Sequence, residues 1–259
     1  MMKNIMHTLV IFFMYMTFPA ASAVTESPDG LKDKILEPGF RLLLIGPYGG
    51  IDYNMHRGKF STTDGHFTCC NFDEGTGIAP VFGAKLFYPL TDEISLSPRV
   101  AYEGRGGEFT QTRNDIPILG SGNQIEYWNV EEKLKTKLNT LTLEVLGTYT
   151  LTSFGLYVAA GPSVGFLLSK NFETTESILG PPGVTYIGGG TTKAFPDQIT
   201  DINSTLISIR GGIGALIPVS NMIYLNPEAL YSYPFNKVAK GYDWKASALQ
   251  ATLGILFMI

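Results

Sequence analysis

The chain has 259 residues, of which 16% are charged, and a formal net charge of −4. A balance that mild excludes recruitment to nucleic acid or to an anionic membrane surface through bulk charge. The only two cysteines, Cys69 and Cys70, are adjacent, and neighbouring thiols cannot staple distant segments, so a disulfide-built scaffold is excluded as well.

The first element in the chain is an export signal. Lys3 supplies a positive start, Leu9 through Phe18 is apolar apart from Thr17, and Ala21-Ser22-Ala23 offers the small residues a signal peptidase reads. Residues 1–23 are expected to be removed, leaving Val24 as the new start. Residues 24–39, with Pro28, Gly30 and Pro38, are expected to form a short periplasmic lead. After Ala23 no segment is apolar for the ~20 residues that a spanning helix needs.

From residue 40 onward the chain alternates apolar and polar positions in eight runs: 41–54, 77–89, 94–106, 138–151, 154–168, 204–217, 222–235 and 246–258. Each exceeds the ~9–11 residues that a tilted strand needs to cross a bilayer. The connections between runs alternate as well. Residues 90–93, 152–153 and 220–221 are tight turns, whereas 55–76, 107–137, 169–203 and 236–245 are long and polar. Short and long loops thus fall on opposite ends. The pattern predicts an all-β fold: an eight-stranded antiparallel up-and-down transmembrane β-barrel over 40–259, with both termini periplasmic and long loops outside.

A period of two assigns the faces. Ile94, Leu96, Pro98, Val100 and Tyr102 share one face; Ser95, Ser97, Arg99, Ala101 and Glu103 share the other. Leu141, Leu143, Val145 and Tyr149 oppose Thr140, Thr142, Glu144 and Thr148. Leu249, Ala251, Leu253, Ile255 and Phe257 oppose Ala248, Gln250, Thr252 and Gly254. Collecting the charges on the polar faces gives Asp52, Lys85, Arg99, Glu103, Arg105, Glu144, Arg210 and Glu228. Four acids and four bases can neutralise one another inside a barrel only wide enough for side chains. A plugged polar lumen is therefore expected.

Aromatic residues recur at strand ends, at Phe40, Tyr53, Phe87, Tyr88, Tyr102, Tyr149, Phe154, Tyr231, Tyr233 and Phe257, as interfacial girdles require. Gly83–Tyr102 and Gly212–Tyr231 form a near-repeat in which Pro89, Ile94, Leu96, Pro98 and Tyr102 match Pro218, Ile223, Leu225, Pro227 and Tyr231. The repeating unit is a hairpin. Pro47, Pro80, Pro98, Pro162 and Pro227 fall inside predicted strands, where each removes a ladder donor, and are expected to mark bulges.

These hairpins, the Ala159-Ala160-Gly161-Pro162 strand and a last strand ending near Phe257 give residues 40–259 a pattern. It resembles the small outer-membrane β-barrel domain family of OmpA-like and PorT-like barrels. The resemblance implies an outer-membrane location, contact with lipid and lipopolysaccharide, and insertion by the barrel-assembly machinery. It implies no single activity, because such barrels serve as anchors, adhesins, secretion components or channels. No further domain is expected after the last strand.

The first long loop carries His56, Asp64, His66, Cys69 and Cys70, types that can bind zinc or copper, but in no standard spacing. No nucleophile elbow is present and no base can be placed beside a nucleophile, so no enzyme activity, metal or cofactor is expected. The function that follows is a structural or interaction barrel acting through its exterior loops. The alternatives are a narrow channel or secretion component, and a soluble exported barrel binding a small hydrophobe.

Overall fold

The structure is a computed structural model that describes residues 43–64, 67–119, 124–152, 155–186, 188–195, 199 and 201–259, with backbone alone at 60–64, 67–71 and 118–119. The signal sequence and the whole of the lead, 24–39, lie outside the described residues, as do Phe40, His66 and Phe154. Among the described residues there is no helix and there are eleven strands. In order they are β1 (Leu44–Asp64), β2 (Phe67–Pro89), β3 (Ile94–Gly104), β4 (Gly107–Leu119), β5 (Ile125–Thr150) and β6 (Leu156–Gly180). There follow β7 (Thr192–Phe195), β8 (Thr205–Ala215), β9 (Ile217–Ser220), β10 (Ile223–Pro234) and β11 (Asp243–Met258).

Eleven segments make eight walls. The pairs Val81↔Glu103 and Gly75↔Phe109 keep one register, so β3 and β4 are a single strand interrupted at Arg105 and Gly106. Glu228↔Gly214 and Leu225↔Ile217 likewise make β8 and β9 one strand interrupted at Leu216. β7 pairs only with the upper part of β6. Antiparallel pairings then run β1–β2–β3–β5–β6–β8–β10–β11 and return to β1. The sheet closes. Followed once around the ring, the register starts at Gly46 and returns at His56, a stagger that tilts the strands as closure demands.

Side chains alternate about this wall. Leu143 is 48% exposed on the outer face, while Glu144 beside it is 3% exposed on the inner one. Ile51, Phe82, Val100, Leu141, Val145, Ile213, Leu253 and Ile255 continue the apolar exterior. Tyr88, Tyr149 and Phe257 lie near the short-turn end of this band, and Tyr231 and Tyr233 near its long-loop end. Tyr102 stacks on Phe82 at 5.0 Å. Phe87 departs from the expected girdle: it points inward, 3% exposed, with its ring edge-on to Tyr157.

The predicted long connections are mostly strand. β1 runs on to Asp64 and β2 begins at Phe67, β4 and β5 fill most of 107–137, and β6 extends to Gly180. Their Gly, Asn, Asp and Thr content signals loop. Yet Phe109, Val130 and Leu134 keep the inward parity of their strands, Phe172 and Ile178 resume it after a bulge between Leu167 and Ser169 shifts β6 by one residue, and burial of that face outweighs the composition.

The in-strand prolines are not bulges, since the ladder keeps its register past each. Instead a pairing lapses locally. The β1–β11 ladder skips from Ile45↔Phe257 to Tyr48↔Gly254 at Pro47, the β2–β3 ladder from Lys85↔Arg99 to Tyr88↔Leu96 at Pro98, and the β5–β6 ladder from Glu144↔Ser163 to Gly147↔Ala160 at Pro162. By register Pro80 and Pro227 lie opposite Gly104 and Ala215, the residues just before the interruptions at 105–106 and Leu216. A strand residue's N–H serves one neighbour only, so a missing donor costs one rung and leaves the other edge intact.

The hairpin near-repeat is structural. Gly83 opposes Ala101 and Gly212 opposes Leu230, and a Cβ at either glycine would collide with the carbonyl oxygen of Val100 or Ala229. Glycine is needed there because two backbones approach closely.

Candidate functional site

The lumen holds three stacked layers. At the short-turn end Leu44, Phe87, Leu146, Tyr157, Ala159, Leu230 and Leu256 pack into an apolar floor, with Leu216, Tyr224 and Met258 against it. These residues point inward because each sits on the same parity as the polar lumen residues further along its strand.

Above the floor lies the first half of a charge network. Glu228 of β10 accepts two hydrogen bonds from Arg99 of β3, at 2.9 and 2.6 Å, and one from the Tyr157 hydroxyl at 2.6 Å. Lys85 of β2 closes an ion pair on the same carboxylate, donates to Asn226 at 2.6 Å and lies over the Tyr48 ring. Asn226 in turn donates to Tyr157 and to the Ala215 carbonyl, whose strand ends at the β8–β9 interruption.

The second half centres on Glu103. Its carboxylate takes Arg210 at 2.7 Å, Arg105 at 2.8 Å and the Thr142 hydroxyl at 3.0 Å. Arg210 also reaches Glu144 at 3.3 Å, and the Tyr48 hydroxyl meets Glu144 at 3.5 Å. Gln250 donates to Asp52 at 3.0 Å. All eight inward charges named from the sequence are therefore buried and face the lumen, and seven of them form direct ion pairs; Asp52 is tied in through Gln250. Four carboxylates against four cations, each within reach of an opposite charge or a donor, offset the cost of withdrawing ions from water.

The third layer closes the long-loop end. Phe72, Phe109, Leu134, Leu138, Phe172, Ile199, Val238, Ala239, Trp244 and Ala246 form an apolar cap. Trp244 is fully buried, edge-on to Phe109 at 5.8 Å, and its indole N–H donates to His56 Nδ1 at 3.1 Å. The cap is tied down by backbone bonds between 201–203 and 238–240, including Asn203 N–H to the Val238 carbonyl at 2.8 Å. His56 is thus packed among aromatic rings. Among the described residues no three His, Cys, Asp or Glu side chains converge as metal ligands. Cys69 and Cys70 lie on β2 with their side chains outside the described set.

Above the cap, β4, β5 and β6 continue as a sheet. Its inner face carries a smaller polar cluster in which Arg113 pairs with Glu132, Glu176 opposes Glu132 in register, and Tyr186 donates to Glu176 at 2.6 Å. Burial of Glu132 holds its carboxyl above the usual range, against the opposing pull of the Arg113 guanidinium.

Sequence reasoning by charge missed Tyr48, Tyr157, Asn226 and Gln250, which complete the network. Parity finds Tyr48 and Asn226, which share the inner face of their strands with Asp52 and Glu228; Tyr157 and Gln250 lie on β6 and β11, which carry none of the named charges. Trp244 and His56, 188 positions apart, carry no joint sequence signal.

A closed eight-stranded antiparallel ring, apolar outside and polar or packed inside, defines a membrane-spanning β-barrel. The outer membrane protein beta-barrel domain model matches residues 28–240, and the chain belongs to that family. It is therefore a protein of the bacterial outer membrane. Among solved structures, the chain resembles the attachment invasion locus protein Ail of Yersinia pestis (12% identity, 83% of this chain and 98% of that one, TM-score 0.33). It also resembles Neisserial surface protein A (11%, 84% and 97%, TM-score 0.39) and the outer membrane protease OmpT of Escherichia coli (10%, 84% and 97%, TM-score 0.34). A search of curated proteins gave no match.

Proposed function

We propose that this protein is a non-conducting structural barrel whose function lies on the surface it displays at its long-loop end. The observation that carries the reading is the stacking of a charge network between two apolar layers, which close the lumen at floor and cap. A charged constriction open at both ends could select ions. Here Leu44, Phe87 and Leu256 on the short-turn side and Trp244, Phe109 and Leu138 on the long-loop side stand between the charges and either mouth.

In this reading the signal sequence exports the chain and the short turns and termini are periplasmic. The barrel-assembly machinery inserts it, and lipid and lipopolysaccharide surround the outer face. The cap and the β4–β6 sheet face the exterior, where a protein partner would bind. Catalysis is not part of the proposal, since the described residues carry no base held against a nucleophile in an open cleft. A short epitope inserted between Gly189 and Gly190 tests the orientation. Antibody is expected to bind intact cells, and binding only after permeabilisation would overturn it.

A further inference from the structure

Between the charge network and the cap, on the β6–β8–β10 side, the lumen is hollow. Thr140, Thr142, Ser163, Ser208 and Ser232 line a cavity of about 20 Å³ together with Arg105, and Asn236 at the end of β10 forms part of its upper wall. A volume of that size takes one water-sized species.

The donors around it are not spent. Arg105 is 7% exposed; its Nε and Nη2 both close on Glu103, and its Nη1 has no acceptor among the described residues. Ser163 is paired through its backbone alone, and its hydroxyl has no partner among the described residues. Ser208 accepts from Ser232 at 3.1 Å, which leaves its own hydrogen free. Glu103, the nearest carboxylate, is already taken by two guanidinium groups, Thr142 and Gln250.

A fixed cationic edge and two free hydroxyls around a site of one-ion size match a small monovalent anion. We propose that the Arg105 cavity is a binding site for a single small anion of the halide class, bound through Arg105 Nη1, Ser163 and Ser208.

Crystals grown in sodium bromide test this directly. The proposal expects an anomalous bromide peak at hydrogen-bonding distance from Arg105 Nη1. In parallel, the temperature at which purified barrel loses its folded gel mobility is measured in chloride and in gluconate at equal ionic strength. The transition should be higher in chloride, and the difference should vanish in a Ser163→Ala/Ser208→Ala variant, which keeps every lumen charge. A cavity without anomalous density, or identical transitions in the two anions for the unaltered protein, would overturn the site.

Discussion

Glu228→Gln removes the carboxylate on which Arg99, Lys85 and Tyr157 all close. The substitution keeps the side chain's size. It leaves two cations with no matching negative charge in a layer where their side chains are 0% exposed, and it presents an amide N–H₂ toward donors. Breaking a buried ion pair by removing one partner costs about 3–5 kcal/mol. Tyr157 additionally loses its charged acceptor, so the upper end of that range is expected. The assay is equilibrium urea unfolding in phospholipid vesicles, followed by fluorescence of Trp128 and Trp244. The midpoint should fall with the slope unchanged, because the surface exposed on unfolding is the same. A companion variant, Lys85→Met/Arg99→Met/Glu228→Leu, replaces the whole triad by apolar groups and should recover most of the loss. If Glu228→Gln unfolds within about 0.5 kcal/mol of the unaltered protein, the range of ordinary surface changes, the network does not hold the lumen together.

Other outcomes follow from the same packing. Trp244→Ala empties the centre of the cap and should cost about 3–5 kcal/mol in the same unfolding experiment. Gly83→Val and Gly212→Val force a side chain onto the Val100 or Ala229 carbonyl, so neither should assemble into a heat-modifiable species on a gel, whereas the outward, uncrowded Gly211→Ala should. Leu253→Arg puts a charge on the outer face and should destabilise the barrel in vesicles by about 2–4 kcal/mol if that position lies near mid-bilayer, and much less in urea-free detergent screening of assembly. Burial raises the Glu132 carboxyl, so the folded sheet takes up a proton before the unfolded chain does. Its stabilising effect is complete below the ordinary carboxylate range and is lost as pH rises through the raised value. Hydrogen exchange at residues 130–134 should therefore be slower near pH 4 than near pH 7 after correction for intrinsic rates, and Glu132→Gln should abolish the difference.

Much of this was readable from period and parity. Arg99 and Glu103, two apart on one strand, could only point the same way, and the apolar series from Ile94 to Tyr102 fixed which way that was. Strand count came from the tight turns at 90–93, 152–153 and 220–221, which leave no room for anything but antiparallel neighbours. Pair identity was not readable. Nothing in the sequence says that Glu228 meets Arg99 across the lumen, or that Trp244 meets His56, because such contacts depend on the stagger of the closed ring. Composition misled at 107–137, where Thr, Asn and Gly read as loop although Phe109, Val130 and Leu134 keep strand parity. Phe87 misled in the opposite sense: an aromatic at a strand end suggested the interface, but its parity matches Lys85 and places it in the floor.

The central claim is that the lumen is closed at both ends. Purified protein inserted into a planar bilayer measures it most directly. The structure predicts no resolvable single-channel current across the accessible voltage range, because Leu44, Phe87 and Leu256 on one side and Trp244 and Phe109 on the other seal the charge network at both ends. A stable, reproducible conductance step from the unaltered protein would contradict it.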